Sequence, residues 1–172
     1  MRAKKTILVS GGTSTGKTTF LNALLREVPV NERLVLIEDT PELVVRHPNA
    51  IGLVAARGRE READVTMDDL LVASLRLRPE RIIMGEVRGV EAFTFLRAVN
   101  TGHPGSMSTI HADSPQRAVE QLALLVVQAG SQLKLADVVE YALRVIDVRV
   151  QLRRDREGRN VPEIVWHTTP DP

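Results

Sequence analysis

One stretch near the amino terminus combines the residue types and the spacing of a phosphate-binding loop. It satisfies the pattern GxxxxGK[ST] in full, and it follows an apolar, strand-like segment, as this motif requires. Small residues allow successive backbone N–H groups to turn toward phosphate oxygens, and the amino terminus of the following helix adds partial positive charge. Lys17 is placed to reach the β- and γ-phosphates, and the Thr18 hydroxyl to ligate Mg²⁺. The predicted nucleotide-binding residues are Gly12, Thr13, Ser14, Thr15, Gly16, Lys17, Thr18 and Thr19.

Acidic residues at strand ends are the next candidates, because phosphoryl transfer requires acidic groups beside the metal ion and the attacking water. In a parallel sheet such groups lie at the carboxyl ends of strands, next to the phosphate loop. Glu38 and Asp39 follow the apolar run at 34–37, and Glu86 follows the run at 81–84. Either end alone could equally be a polar strand end that faces water. Two such ends beside a complete phosphate loop favour a catalytic interpretation.

Histidines supply another kind of candidate. His111 follows a short predicted strand at 107–110, and an imidazole there could donate to a γ-phosphate oxygen and report the state of the nucleotide. From the pattern alone, a histidine that satisfies a loop carbonyl is the favoured alternative, and His103 is similarly ambiguous. Neither histidine is expected to chelate a metal, because the chain has no cysteine and no close second histidine completes a site.

The elements that must position these side chains can be predicted from hydrophobic patterning. Buried strands are predicted at 6–10, 34–37, 81–84 and 107–110, with a possible strand at 51–55. Helices are predicted after the phosphate loop, from Thr66 to about Leu77, around 92–99, from Ser114 and over 133–143. Alternating residues at 146–153 indicate a half-buried strand, with a hairpin partner at 161–166. Strands that alternate with helices predict an α/β fold with a mainly parallel sheet.

Composition narrows the class of protein. With 43% hydrophobic and 26% charged residues over 172 positions, the chain is expected to fold. Its net charge of +1 gives no support for a large nucleic-acid interface, so direct nucleic-acid binding is not expected. Arg57, Arg59 and Arg61 are interleaved with Glu60 and Glu62, which favours a solvated loop. No apolar run reaches the roughly 18 residues of a membrane span, and the lack of cysteine fits a reducing cytoplasm.

Four blocks of sequence, in this order, resemble the secretion ATPases of type IV secretion and conjugal DNA transfer, the TrbB-like group. They match the family's Walker A, Asp box, Walker B and His box, and they lie at 11–19, 36–42, 77–89 and 100–112. The resemblance implies a RecA-like P-loop domain that hydrolyses ATP with Mg²⁺. It makes Glu86 the Walker B acid, acting on Mg²⁺ or the attacking water. It also makes Glu38 the Asp-box carboxylate and His111 the γ-phosphate sensor, beside the catalytic Lys17.

The same resemblance implies a hexameric ring at the cytoplasmic face of the inner membrane, held there through other secretion-system components. Family members carry a separate N-terminal domain before the phosphate loop, and nucleotide lies between the two domains. Only ten residues precede Gly11, so the expectation is a single ATPase domain over 1–172 without the family's N-terminal domain. Such a chain is expected to bind nucleotide weakly and to hydrolyse it slowly. A submicromolar affinity for ATP would contradict this expectation.

Three alternatives stay open at this stage. The first is a type IV pilus or type II secretion assembly ATPase with the same chemistry. The second is a nucleotide-gated scaffold that binds nucleotide without turnover. The third is a DNA-pumping helicase, against which the near-neutral charge counts. The arginine that would act across a subunit boundary is also open, with Arg57, Arg59, Arg76, Arg78 and Arg88 as candidates.

Overall fold

A seven-stranded sheet organises the part of the chain that the computed structural model describes, residues 1–56 and 64–167. The strands are β1 (Ile7–Gly11), β2 (Leu34–Glu38), β3 (Ala50–Val54), β4 (Arg81–Met84), β5 (Met107–Ile110), β6 (Val148–Arg154) and β7 (Arg159–Trp166). The helices are α1 (Lys17–Leu25), α2 (Met67–Ser74), α3 (Glu91–Asn100), α4 (Pro115–Gln128) and α5 (Leu135–Val145). The predicted solvated loop with Arg57, Arg59, Glu60, Arg61 and Glu62 lies outside the described residues.

The sheet is parallel up to its last strand. Its order is β3-β2-β4-β5-β1-β6-β7, and β7 pairs with β6 in the antiparallel sense as a hairpin. The predicted α/β fold with a mainly parallel sheet and a C-terminal β-hairpin is therefore confirmed. Strand β1 lies between β5 and β6 and is parallel to both. The carboxyl ends of β1, β4 and β5 consequently meet at one edge of the sheet, which is where a ligand binds in such folds.

Helices cover both faces of the sheet, which explains why the central strands β1, β2 and β4 are mainly apolar. Successive strand residues point to opposite faces. In β1, Leu8 packs into a core that includes residues of α2 to α5, and Val9 packs into a second core with residues of α1. Both side chains have no exposed surface. Burial on two faces therefore removes the polar alternation that a one-sided strand would show.

The predicted helix starts are borne out by their caps. The Thr66 side chain accepts from the backbone of Asp69 and the Asp69 carboxylate accepts from Thr66 N, which is a reciprocal capping box. Ser114 caps α4, with Pro115 in its first turn. The helix predicted to reach Leu77 instead ends its α-helical part at Ser74 and continues as a 3₁₀ turn, Leu75–Leu77.

Strand β6 differs from the half-buried strand that the sequence pattern predicted. All five residues from 148 to 152 are buried: Val148, Val150 and Leu152 belong to the core that includes residues of α1, and α4 lies against the strand. Arg149 and Gln151, taken as solvent-facing from their polarity, are 6% and 5% exposed. Burial lowers the pKa of Arg149, and the nearby Glu163 opposes this shift. The alternation thus reflects two different buried environments.

A buried ion pair ties the amino end of β4 to neighbouring segments. The Arg81 side chain is fully buried, and its Nε lies 2.5 Å from Glu32 Oε2. The same guanidinium donates to the backbone oxygens of Met1 at 2.8 Å and Gly105 at 3.0 Å. The hydrogen bond from Arg81 lowers the pKa of Glu32. Glu32 contributes stability above the ordinary glutamate pKa of 4.5, and this contribution is lost as the pH falls through the lower folded-state pKa.

Replacing Arg81 by methionine is expected to lower the free energy of unfolding by about 3–5 kcal/mol at neutral pH, because Glu32 would remain as a buried charge without its partner. The double variant Arg81→Met/Glu32→Gln removes both charges and is expected to be less destabilised than the single variant. Urea denaturation of the wild type and both variants measures the difference. A double variant that is less stable than Arg81→Met would contradict this role of the pair.

Candidate active site

The phosphate loop connects β1 to α1 through a tightly folded backbone. Gly16, just before α1, has φ +93°, a conformation that favours glycine. At Gly11 an added Cβ would lie 2.4 Å from Thr15 Oγ1, so no larger residue fits without a shift. The Thr15 hydroxyl donates to the Gly12 carbonyl at 2.9 Å and closes the loop on itself. The loop is therefore held in one shape by its own residues before any ligand binds.

Lys17, the first residue of α1, is folded back over the loop. Its side-chain nitrogen donates to the Gly11 carbonyl at 3.0 Å and approaches the Gly12 carbonyl at 3.4 Å. The residue is 8% exposed, and burial lowers its pKa, while the Glu86 carboxylate acts in the opposite direction. Each ring nitrogen of His111 lies 3.4 Å from Lys17 Nζ. The ammonium group is thus at the centre of the predicted site.

Glu86 and His111, predicted from two different strand ends, lie side by side. His111 Nε2 is 3.0 Å from Glu86 Oε1, an ion-pair distance without the alignment of a hydrogen bond. Glu86 Oε1 is buried and has no aligned hydrogen-bond donor among the described residues. The other oxygen, Oε2, accepts from Arg88 at 3.0 Å, and Arg88 also pairs with Asp39 at 2.6 Å. This contact with Glu86 raises the pKa of Arg88.

The loops that carry Glu86 and His111 are fastened to the sheet. Thr109, in β5, donates through its hydroxyl to the Gly85 carbonyl at 2.8 Å, and Val87 N donates to the Thr109 carbonyl at 2.9 Å. Gln151 of β6 donates to the Ala112 carbonyl at 3.3 Å. These bonds join the segment after β4 to the segment after β5. They hold the carboxylate and the imidazole in a common frame with the phosphate loop.

Glu38 lies at the carboxyl end of β2, as predicted, and its carboxylate accepts hydrogen bonds from the loop that follows. It is buried at the end of β2, and its Oε1 accepts from the backbone N–H groups of Glu42 and Leu43, both at 2.8 Å. Glu42 in turn accepts from the Thr18 hydroxyl at 2.9 Å. In this geometry Glu38 shapes the loop after β2, and it is Glu42 that reaches the phosphate loop. A direct catalytic role of Glu38 stays a prediction.

Two residues of the site were not predicted as site residues. Glu42 lies in a matched sequence block, but its contact with Thr18 depends on how the loop after β2 folds. Arg159, the first residue of β7, donates from Nε to the Ser14 carbonyl at 3.2 Å. Ser14 and Arg159 are separated by 145 positions, so no local pattern could have indicated their contact.

Of the other predicted candidates in the described part of the chain, only Arg88 lies at the site. His103 Nδ1 is 2.9 Å from the Pro79 carbonyl, the loop-carbonyl alternative that the pattern left open. Arg76 and Arg78 are exposed, and neither contacts the phosphate loop. Arg88 lies at the site itself through Glu86 and Asp39. A role across a subunit boundary stays a prediction for each of these arginines, and Arg57 and Arg59 lie outside the described residues.

An open depression of about 370 Å³ brings the predicted residues together. Its lining comprises Thr13, Ser14, Thr15, Gly16, Lys17, Thr18, Thr19, Glu42, Glu86, His111 and Arg159. Gly12 and Glu38 are not among the lining residues. The Gly12 carbonyl lies 3.4 Å from Lys17 Nζ, and the Glu38 carboxylate accepts from the backbone N–H of Glu42. A basic side chain, backbone N–H groups at a helix amino terminus and a carboxylate thus face one cavity, an arrangement suited to phosphate groups.

The residues present also fit a magnesium ion. The described residues contain no cluster of three or more histidine, cysteine, aspartate or glutamate side chains that would hold a metal alone. Mg²⁺ usually takes only one or two protein oxygens and completes its shell with water and substrate phosphates. Thr18, Glu42 and Glu86 supply hydroxyl and carboxylate oxygens on the wall of the depression, and the buried Glu86 Oε1 lacks an aligned donor.

We expect ATP affinity to weaken at alkaline pH. The decline should begin at a lower pH than it would with a lysine of ordinary pKa. Burial lowers the pKa of Lys17 in the ligand-free protein. Bound phosphate stabilises the charged form, so above that pKa binding must take up a proton. Affinity should stay constant below the lowered pKa and fall by up to about tenfold per pH unit above it. Titration of ATP from neutral to alkaline pH, beside Lys17→Arg, tests this; an equal decline in the arginine variant would contradict it.

Comparison with known proteins shows to which family the chain belongs. A family profile described as "Type II/IV secretion system protein" matches residues 1–157. The chain belongs to this family. The type IV secretion system protein VirB11 of Bartonella quintana is 40% identical over 168 residues, which cover 96% of this chain and 47% of that protein. The conjugal transfer protein TrbB of Rhizobium radiobacter is 39% identical over 166 residues, which cover 95% and 48%.

Two solved structures show the same fold. The crystal structure of the VirB11 ATPase from the Brucella suis type IV secretion system, in complex with sulphate, matches with a TM-score of 0.87 and 36% identity. The match covers 96% of this chain and 49% of that one. The pilus retraction motor PilT with bound ADP matches with a TM-score of 0.72 and 23% identity, a likeness of fold alone. The chain spans about half the length of the relatives it matches.

Proposed function

We propose that this chain binds ATP and hydrolyses it to ADP and phosphate. The observation that carries the proposal is the convergence of Lys17, Glu86 and His111 on one open depression beside a complete phosphate loop. A scaffold that only binds phosphate needs the loop and its lysine. It does not need a carboxylate on the wall of the same cavity with an imidazole beside it. A carboxylate in this position is suited to accept a proton or a hydrogen bond from an attacking water.

Each side chain has a defined task in this proposal. The backbone N–H groups of the loop and Lys17 bind the β- and γ-phosphates, and Lys17 leaves the carbonyls of Gly11 and Gly12 to do so. Glu86 orients a water molecule, whose oxygen forms a bond to the γ-phosphorus while the bond to the bridging oxygen of ADP breaks. The water's proton passes to Glu86 or to the released phosphate. His111 donates to the γ-phosphate oxygen and is held for this by its contact with Glu86.

Magnesium would be held at the wall of the depression that Thr18 and Glu86 share. When bound, it neutralises the charge of the β- and γ-phosphates. Thr18 would exchange its present acceptor, Glu42, for this task. Glu42 and Asp39 then remain as neighbouring carboxylates, of which Asp39 is neutralised by Arg88. The chain's own part is to place oxygen ligands at one end of the phosphate loop.

The biological setting that we propose is type IV secretion or conjugal DNA transfer. Relatives that cover nearly the whole chain carry these names, and they are about twice as long. Within the whole protein we propose a hexameric ring, located at the cytoplasmic face of the inner membrane through other secretion components. In the described part of the chain, no helix has both the length and the apolar character for crossing a bilayer. Assembly of a type IV pilus or a type II system is the alternative setting for the same chemistry.

Steady-state release of phosphate from ATP tests the proposal. The chain should show turnover that depends on Mg²⁺, and turnover per chain should rise with protein concentration if a ring completes the site. Binding of a fluorescent ATP analogue, measured on the same samples, separates turnover from occupancy. Bound nucleotide without phosphate release at every concentration would overturn hydrolysis by this chain and favour the nucleotide-gated scaffold. Equal turnover with and without Mg²⁺ would contradict the assigned metal site.

A further inference from the structure

One buried side chain joins three neighbouring strands beside the candidate active site. Gln151 lies in β6 and is 5% exposed. Its Oε1 accepts from the Ser10 hydroxyl of β1 at 2.6 Å, and its Nε2 donates to the Ala112 carbonyl, after β5, at 3.3 Å. Strand β1 lies between β5 and β6 and is parallel to both, so this amide connects three strands at the carboxyl edge of the sheet.

The Gln151 amide has one favourable orientation. Its Nε2 donates to two carbonyls, those of Ala112 and Leu152, the second at 3.0 Å. An amide turned over would direct its oxygen at these two carbonyl oxygens, which would repel it. Ser10 has no exposed surface, so water has no access to replace a lost bond to its hydroxyl. A buried polar group whose bonds are made in one geometry is held rigidly, and it holds its partners in turn.

The two partners of Gln151 are direct chain neighbours of site residues. Ser10 precedes Gly11, the first residue of the phosphate loop, and Ala112 follows His111. The His111 side chain is 48% exposed, so its position depends more on the backbone that carries it than on packing around the ring. The Gln151 amide therefore ties the backbone of the histidine segment to the start of the phosphate loop.

We propose that Gln151 is a positioning residue for hydrolysis, which places the His111 imidazole at the γ-phosphate while Lys17 and the phosphate loop hold the nucleotide. The inference rests on the proposed function, because that function gives His111 its contact with the γ-phosphate. Gln151 itself touches no part of the nucleotide. Its loss should impair turnover and leave the phosphate loop able to bind, because the bond between Thr15 and Gly12 closes that loop independently.

Gln151→Met tests this role, because methionine keeps the length of the side chain and removes both its donor and its acceptor. Arg149→Met is the matched control. Arg149 lies two residues earlier in β6 on the same face, is 6% exposed, and its Nε has no hydrogen-bond partner in the part of the chain described. We expect Gln151→Met to lower kcat by about tenfold to a hundredfold, the cost of a small misplacement of a catalytic group. Its Kd for the β,γ-imido analogue of ATP should stay within about threefold of wild type, and Arg149→Met should change neither quantity by more than about twofold.

A double-mutant cycle with His111→Asn separates positioning from a general disturbance of the fold. Once His111 is replaced, Gln151→Met should lower kcat by less than about twofold further, because the two residues act through one contact. Proton NMR reports the same dependence without turnover. The His111 ring resonances, identified by their loss in His111→Asn, should differ between the wild type bound to ADP and to the imido analogue. This difference should be largely lost in Gln151→Met and retained in Arg149→Met.

An equal loss of kcat with and without His111, or the same loss in Arg149→Met, would overturn the positioning role and leave the proposed function intact. Bound nucleotide without phosphate release in the wild type would overturn the proposed function. The NMR difference then decides the positioning role, which is overturned if the difference is absent from the wild type or persists in Gln151→Met. If Gln151→Met does not fold, Ser10→Ala removes the other end of the bond. Wild-type kcat and an unchanged ring difference in Ser10→Ala would overturn the proposal.

Discussion

Replacing Glu86 by glutamine is expected to lower kcat for ATP hydrolysis by about 10²- to 10⁴-fold, the usual contribution of a positioned acid or base. The substitution keeps the size of the side chain and one carbonyl oxygen. It removes the negative charge that faces Lys17 and His111 and that pairs with Arg88. ATP should remain bound, because the phosphate loop and Lys17 are unchanged. Steady-state phosphate release at saturating ATP, with binding measured in parallel, gives both quantities.

The matched control for this variant is Asp113→Asn. Asp113 follows His111 by two residues, its side chain is 80% exposed, and it pairs with Arg117 at the surface. Loss of this carboxylate should leave kcat within about twofold, since exposed ion pairs contribute little. If Glu86→Gln retained wild-type kcat, the attacking water would have to be oriented by another group, and Glu42 would become the leading candidate. If both variants lost activity equally, the effect would reflect general charge near the site.

Replacing Lys17 by alanine is expected to lower kcat/KM for ATP by about 10²- to 10³-fold, the usual cost of removing one donor to a developing charge. Part of this loss is weaker binding, because a hydrogen bond to a charged group is worth roughly 1.5–3 kcal/mol. The fold should persist, since the buried Lys17 ammonium is desolvated and its removal leaves no buried charge in the loop. Kinetics over a range of ATP concentrations, with thermal denaturation as a check of folding, measure these effects.

The exposed Lys134 at the start of α5 provides the comparison for Lys17→Ala. Lys134→Ala removes the same charge far from the phosphate loop and should change kcat/KM by less than about twofold. A loss of activity in Lys17→Ala that accompanies a loss of folded protein would not support a direct role. Lys17→Ala with wild-type kcat/KM and an intact fold would contradict the assignment of the phosphate loop as the nucleotide site.

Much of the fold could be predicted because parallel strands that are buried on both faces leave a simple record in the sequence. The runs at β1, β2 and β4 are mainly apolar, and the strand ends carry the glycines and acidic residues that the sheet edge brings together. The convergence of Lys17, Glu86 and His111 follows from this topology alone. Strand β6 was predicted with the wrong environment although its hairpin partner was predicted, because local polarity does not indicate that α4 lies against the strand.

The unpredicted parts of the site depend on how irregular segments fold back. Glu38 faces the backbone of Glu42 and Leu43 because the chain reverses after β2, and no periodic pattern indicates such a reversal. Arg159 reaches Ser14 because the hairpin lies beside β1 in the sheet through β6. A strand-end acid can therefore be found from sequence. Whether it faces the ligand or holds a loop is decided by tertiary contacts.

The most direct test of hydrolysis at this site is a single-turnover measurement with γ-labelled ATP, Mg²⁺ and an excess of the chain over nucleotide. For the wild type, we expect bound ATP to be converted to labelled phosphate. For Glu86→Gln, we expect ATP to stay bound and uncleaved over the same period. Cleavage at equal rates in both proteins would contradict the role of Glu86. Bound ATP that remains intact in the wild type would contradict hydrolysis by this chain.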